Sequence, residues 1–133
     1  MRKIFFMSLL TVGTVAFDAI ETPFGKTDKI VGGAATYIAW SASYFSKLIN
    51  IVSVIGDDFD MKELELLKNE NGANKTRGKV DTRGIDIKEG KKSFFWSGKY
   101  HMDMNTRDTL TTDLNLLMEF NPIVPDDYQS SDI

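Results

Sequence analysis

The sequence predicts an α/β layer fold built on parallel strands. Two apolar runs, "SLLTVGTVAF" (8–17) and "LINIVSVIG" (48–56), have the length and β-branched content of buried strands. Between them, Ala34, Ala35, Ile38, Ala39, Ala42 and Phe45 recur near helical spacing over 33–47. A second helical pattern, "DDFDMKELELLKNEN" (57–71), follows the second strand. Strand, helix, strand, helix is the order of a parallel sheet with helical crossovers.

Each element has its own signal. The run 8–17 has two readings. With "MRKIFFM" before it, it has the length and basic start of a secretory signal. It reads equally as the first strand of a sheet, with residues 1–7 an upstream extension and Met7 an alternative start. Residues 19–31 contain Pro23 and Gly25 among short apolar pieces, and read as a loop with a hairpin-like excursion. Small residues on the 33–47 helix let it lie close to a sheet. The 57–71 helix begins with acidic residues, which suit the positive end of its dipole, and Leu64, Leu66 and Leu67 supply apolar surface. After it the chain turns polar and glycine-punctuated. Residues 69–84 read as a long loop, with 69–79 a surface insertion. Residues 85–100 read as a β-hairpin turning at "KEGKK". A short helix is expected over 113–120.

Composition narrows the function. The chain has 133 residues, 42% hydrophobic and 26% charged, enough for one packed domain or part of a larger one. A net charge of −3 offers no basic field for nucleic acid. The absence of cysteine removes thiolate chemistry and fits a reducing cytoplasm. A single histidine, His101, is too few for a histidine metal cluster, and it is expected at the surface or at a strand end. No membrane partner is expected.

Six residues stand out as candidate substrate contacts. Asp18 follows an apolar strand, where ligands of open α/β sheets bind, and a carboxylate accepts hydrogen bonds from two sugar hydroxyls. Its ordinary alternative is a turn aspartate. Gly32 and Gly33 precede a helix whose first N–H groups lack intrahelical partners, and glycine lets a ligand approach them. The alternative is a tight turn. No phosphate-loop motif accompanies the pair. Tyr37 follows within the helix. In "SFFWSGKY", alternation puts Phe95 on the face opposite Phe94 and Trp96, and one face is free to cover a ligand. Arg107 suits an acidic or phosphate group, or simply solvent. Asp57 and Asp58, ending the second strand, read first as caps of the next helix.

The order of these features carries more than any one of them. "VGTVAFD" (12–18), "IVGGAATYIAWSAS" (30–43), "VSVIGDDF" (52–59) and "VDTRGI" (80–85) together resemble the N-terminal part of the PfkB family, the ribokinase-like sugar and adenosine kinases. The resemblance runs from about residue 8 to the end. It implies the N-terminal portion of a ribokinase-like three-layer sandwich with a small β-sheet lid. Segments 19–31 and 85–105 would be that lid, which often mediates dimerisation in the family. Asp18 would hold sugar hydroxyls, and Gly32 and Gly33 would let the substrate ring approach the backbone. The apolar run 8–17 would be the first strand. The family uses ATP and Mg²⁺.

Three departures qualify the resemblance. Tyr37 stands where the family usually has a sugar-binding Asn. The connection before "VDTRGI" is longer than usual. The "GAGD" signature, whose Asp is the family's catalytic base, does not occur in these residues. The resemblance therefore implies a truncated kinase: a substrate-binding half whose catalytic Asp lies beyond the C-terminus, and which binds ATP and Mg²⁺ poorly by itself. Its partner would be a sugar or nucleoside, with a homodimer through the lid. The alternative is a non-catalytic module that binds a sugar or nucleoside, or dimerises by its lid.

Overall fold

In the computed structural model, residues 7–70, 72 and 74–133 are described. Expectations for residues 1–6 lie outside them, as do 71 and 73 within the expected insertion. Strands β1 (Ser8–Val12), β5 (Leu48–Gly56) and β6 (Lys79–Lys88) form a parallel sheet in the order β1-β5-β6. A second sheet contains β2 (Ala16–Thr22), β3 (Gly25–Lys26), β4 (Ile30–Gly32), β7 (Phe95–Tyr100) and β8 (Arg107–Asp113). Helices α1 (Ala34–Ala42) and α2 (Met61–Lys68) cover one face of the parallel sheet.

Strand β5 is the spine. Eight of its nine residues are buried, all apolar or glycine except Asn50 and Ser53, so it is buried on both faces and shows no polar alternation. Ile49, Ile51 and Ile55 pack with Ala35 and Ala39 of α1 and with Leu64 and Leu67 of α2. Asp60 starts α2, its side chain accepting the Lys62 N–H at 2.9 Å, and Asn69 ends it in the left-handed region. The third layer is the C-terminal segment, with 3-10 helices Asn115–Glu119 and Asp126–Tyr128, on the other side of the sheet. There Asn50, buried on β5, donates to Ser131 Oγ at 3.1 Å. Ile133 bridges β1 in parallel fashion, donating to the Ser8 carbonyl and accepting from the Leu10 N–H.

Several elements differ from expectation. The run 8–17 is two strands in two sheets. At Gly13 the chain still bonds the β5 edge through the Val52 carbonyl, and the Val15 N–H bonds Ser53 Oγ. Ala16 then begins the second sheet, so Asp18 lies inside β2 and not after a strand. The 19–31 excursion holds the expected hairpin, β2 with β3, followed by β4 on the same edge of β2. Helix α1 stops at Ala42, short of 47, and α2 starts at Met61, after the acidic turn.

Residues 79–84 are not loop but the first half of β6. Its polar pattern comes from a bulge: Asn50 faces Asp81, yet Val52 faces Gly84, so Thr82 and Arg83 together oppose Ile51. The turn at Glu89 and Gly90 does not make a hairpin. Strand β6 ends in the parallel sheet at Lys88, and β7 pairs with β2 and β8 in the other. Of the segments expected to form one small sheet, 19–31 and 95–105 contribute strands to the second sheet, whereas 85–88 belongs to the parallel sheet. Residues 115–119 form a 3-10 turn in place of a longer helix.

Candidate functional site

The site lies where the two sheets diverge. Strand β2 pairs in parallel with β7, placing Phe17 opposite Phe95 and Asp18 opposite Trp96. Alternation then separates two faces. On one, Phe17 stacks on Phe59 of the core with ring centroids 4.7 Å apart, and Phe95 packs against the same cluster. On the other, Asp18, Phe94, Trp96 and Tyr100 face an open hollow of about 420 Å³. Thr14, Gly33, Ala34 and Tyr37 close its helix side, and Arg107 of β8 its rim.

The glycine pair is explained by this geometry. Gly32 pairs with Ala16 across β4 and β2, beside the Asp18 side chain. A Cβ at Gly32 would come within 2.0 Å of Asp18 Oδ2, so the carboxylate occupies the space that any side chain there would need. Gly33 caps α1 with φ 96°, a left-handed conformation that favours glycine, and a Cβ there would meet the Thr14 carbonyl at 2.4 Å. The first helical N–H groups are already used. Ala34 N–H donates to Thr14 Oγ1 and Ala35 N–H to the Thr14 carbonyl, both at 2.9 Å. The helix start is thus not the open anion cradle that the sequence suggests. The glycines let Asp18 and Thr14 fit.

Asp18 is half-buried, and burial raises its pKa above the ordinary 3.8. Among the described residues it accepts no hydrogen bond and pairs with no cation. A desolvated carboxylate without a partner is costly, and a hydroxyl-bearing ligand would satisfy it. The Arg107 side chain also makes no hydrogen bond or ion pair among the described residues; its guanidinium lies 5.9 Å from the Trp96 ring centroid.

Of the six expected contacts, the hollow brings together Asp18, Gly33, Tyr37 and Arg107. Gly32 supports Asp18 from behind. Phe95 lies on the opposite face, towards the core, with the Lys29 ammonium 5.2 Å from its ring centroid. Phe94, Trp96 and Tyr100, the other aromatic residues of "SFFWSGKY", take the positions that face the hollow. The alternation in "SFFWSGKY" separates these faces; which face looks inward depends on the pairing with β2.

Asp57 and Asp58 do not cap α2. Asp57 accepts the Gly90 N–H, and Asp58 accepts both the N–H and Oγ–H of buried Ser93, whose Oγ in turn accepts the Gly56 N–H. They fasten the chain between β6 and β7. His101 is exposed in the β7–β8 turn, 2.9 Å from Asp108 Oδ2. A second hollow of about 200 Å³ carries Asp86, Lys88 and Glu119, but Lys88 pairs with Asp86 and Lys91 with Glu119, leaving no unmet carboxylate comparable to Asp18. Among the described residues no group of three or more His, Asp or Glu side chains is arranged to hold a metal ion. No helix among them is long and apolar enough to cross a membrane.

No family model matches the sequence, and none of the curated proteins matches it. Solved structures do resemble the fold. A nucleoside kinase from Burkholderia thailandensis, in complex with inosine, superposes with a TM-score of 0.63 at 15% identity, covering 84% of this chain and 37% of that one. The nucleoside kinase of Methanocaldococcus jannaschii, an archaeal member of the ribokinase family, gives 0.63 at 17% identity, covering 90% of this chain and 42% of the other. Ribokinase from Cryptococcus neoformans var. grubii, in complex with ADP, gives 0.55 at 17% identity, with coverage of 82% and 35%. This chain therefore spans less than half the length of the structures it resembles. Its parallel sheet, flanking helices and second small sheet are those of the ribokinase fold.

Proposed function

We propose that this chain is the acceptor-binding part of an ATP-dependent kinase of the PfkB family, which phosphorylates a hydroxyl of a sugar or nucleoside. The observation that carries the reading is the unpartnered, half-buried Asp18 carboxylate on the floor of the hollow. Two vicinal hydroxyls would each donate to one of its oxygens, orienting the ligand and relieving the desolvation. The β7–β8 arm would cover the bound ligand and exclude water, so that a phosphoryl group passes to the hydroxyl and not to solvent. Phosphoryl transfer depends mainly on positioning and on charge stabilisation, so orientation by Asp18 is itself a catalytic contribution.

ATP would supply the phosphoryl group, with Mg²⁺ neutralising its charge. The described residues show no metal cluster, and the sequence shows no phosphate loop. The coverage of 35–42% in these three solved kinases supports a donor site and catalytic base lying outside these residues. On this reading the 133-residue chain alone turns over no ATP. A cytoplasmic setting, which supplies ATP and whose reducing conditions suit a chain without cysteine, goes with this reading. Strand β8, an edge of the lid sheet and exposed along most of its length, supports pairing with a second copy.

The test is thermal melting of the chain with D-ribose, D-fructose or adenosine. At least one should raise the melting temperature, and Asp18→Asn should abolish that rise. Failure of all three to stabilise the wild-type chain would overturn the reading.

A further inference from the structure

Among the described residues one buried side-chain polar atom has no hydrogen-bond partner, Thr36 Oγ1, and Thr36 lines a groove between α1 and α2. A threonine inside a helix commonly turns its hydroxyl back onto the carbonyl four residues earlier. Thr36 makes no such bond. A buried hydroxyl left without a partner costs free energy, and nothing else in the fold offsets this one. The walls around it are apolar: Val31 from β4, Trp40 from α1, and Leu64, Leu66 and Leu67 from α2. Trp40 and Leu66 are exposed, so the groove opens to solvent.

The groove keeps its shape without a ligand. The Arg77 guanidinium lies 3.7 Å from the Trp40 ring centroid and donates to the Leu67 carbonyl at 3.1 Å, tying the ring on α1 to the end of α2. Such pre-organisation spares the entropy of ordering the wall on binding. The volume is about 250 Å³. An apolar cavity of roughly 150 Å³ takes benzene, so this one has room for two fused rings. A sugar or nucleoside would strand several hydroxyls against leucine walls. Glu63 stands exposed at the rim with no ion pair among the described residues, which disfavours an anion.

We propose that the groove between α1 and α2 is a second binding site, for an uncharged bicyclic aromatic molecule whose single polar group bonds Thr36 Oγ1. The hydroxyl can accept from an N–H or donate to an oxygen. The rings bury against the leucines and Trp40, which supplies the larger share of the affinity. This site is distinct from the Asp18 hollow, with which it shares Tyr37 alone. The proposal is independent of what binds at Asp18.

Indole is the probe, with two fused rings, no charge and one N–H. The chain has two tryptophans, Trp40 in the groove and Trp96 in the hollow. Titrating the nitrogen-labelled chain with unlabelled indole, and following the two side-chain N–H signals, therefore shows which cavity fills. The Trp40 signal and the amides of Leu64, Leu66 and Leu67 should shift with a Kd below about 1 mM, and the Trp96 signal should stay. Thr36→Val, similar in shape, removes a hydroxyl that bonds nothing in the free chain and should weaken binding ~3- to 10-fold, the range of one neutral hydrogen bond. Thr36→Ser keeps the hydroxyl and should keep most of the affinity. Leu66→Asp, at an exposed position, should weaken binding with the fold intact. Shifts centred on Trp96, affinity unchanged in Thr36→Val or in Leu66→Asp, equal losses in Thr36→Val and Thr36→Ser, or no shifts at millimolar indole would each overturn the proposal.

Discussion

Asp18 carries a desolvation cost that the proposed ligand would relieve. Burial raises its folded pKa above 3.8, so the unfolded chain gives up the proton first. The stability linked to this group is fully present below about pH 3.8 and is lost as pH rises through the folded value. Asp18→Asn, similar in shape and uncharged, should therefore be more stable than wild type at pH 7. The difference should shrink below pH 3.8, as read from urea midpoints at pH 7 and 3.5. The same substitution removes hydrogen bonds to a charged acceptor and should weaken ligand binding by ~10-fold or more. At this scale the sequence was partly legible. Asp18, the glycines, Tyr37 and Arg107 were visible as chemistry. The reason for Gly32 was not, because it depends on a cross-strand neighbour fourteen positions earlier. Phe95 shows the same limit: alternation separates the two faces of β7 but cannot say which one looks into the hollow.

Strand β6 shows how one element is held by side chains distant in sequence. At its bulge the Gly84 N–H donates to the Tyr128 hydroxyl at 3.2 Å, and that hydroxyl donates to the Asp81 carbonyl at 3.3 Å. Tyr128 is 1% exposed. Tyr128→Phe would leave two backbone groups without this partner and should cost about 1–3 kcal/mol. Chemical denaturation reads this directly, and a change below 0.5 kcal/mol, about the noise of a neutral surface substitution, would refute the role. Beside it, burial pushes the Asp81 carboxyl up, but hydrogen bonds from Arg83 outweigh this and hold it at about 2. Asp81 thus contributes stability above the unfolded value of 3.8, and that contribution is lost as pH falls towards 2. Arg77 plays a comparable part between the helices. Its guanidinium lies 3.7 Å from the Trp40 ring centroid and donates to Ser43 Oγ and to the Leu67 carbonyl, joining the C-terminal ends of α1 and α2. Arg77→Ala should cost roughly 1–3 kcal/mol through lost charge-assisted hydrogen bonds and packing, measurable by the same unfolding curves.

These two elements also explain what the sequence concealed. The segment 69–84 reads as polar loop because Arg77 is a buried charge, and because the bulge at Thr82 and Arg83 breaks the alternation of β6. Strand β5 was legible to the residue because it is buried on both faces and needs no pattern beyond its β-branched run. The division of 8–17 into β1 and β2 was not, since the apolar run continues unbroken while its partner changes from β5 to β7. Pairing between distant strands is a property of the sheet, and local composition does not encode it.

At the scale of the whole molecule, the order of elements reveals the fold before any pairing is known. The parallel sheet provides a rigid floor through β5, and the second sheet is rooted in it by Phe17 on Phe59. Asp18 and Trp96 are the next register pair after Phe17 and Phe95, so the hollow opens directly beside that anchor. The β7–β8 arm extends from it to an exposed turn held by Asp103, whose carboxylate accepts from the N–H groups of Asn105 and Thr106. The most direct measurement is amide and indole chemical-shift mapping of the 133-residue chain titrated with adenosine. The account predicts shifts confined to residues 14–18, 32–37 and 94–100, to Arg107, and to the Trp96 indole N–H. Shifts centred instead on the second hollow, at Asp86, Lys88 and Glu119, or no shifts at saturating adenosine, would contradict it.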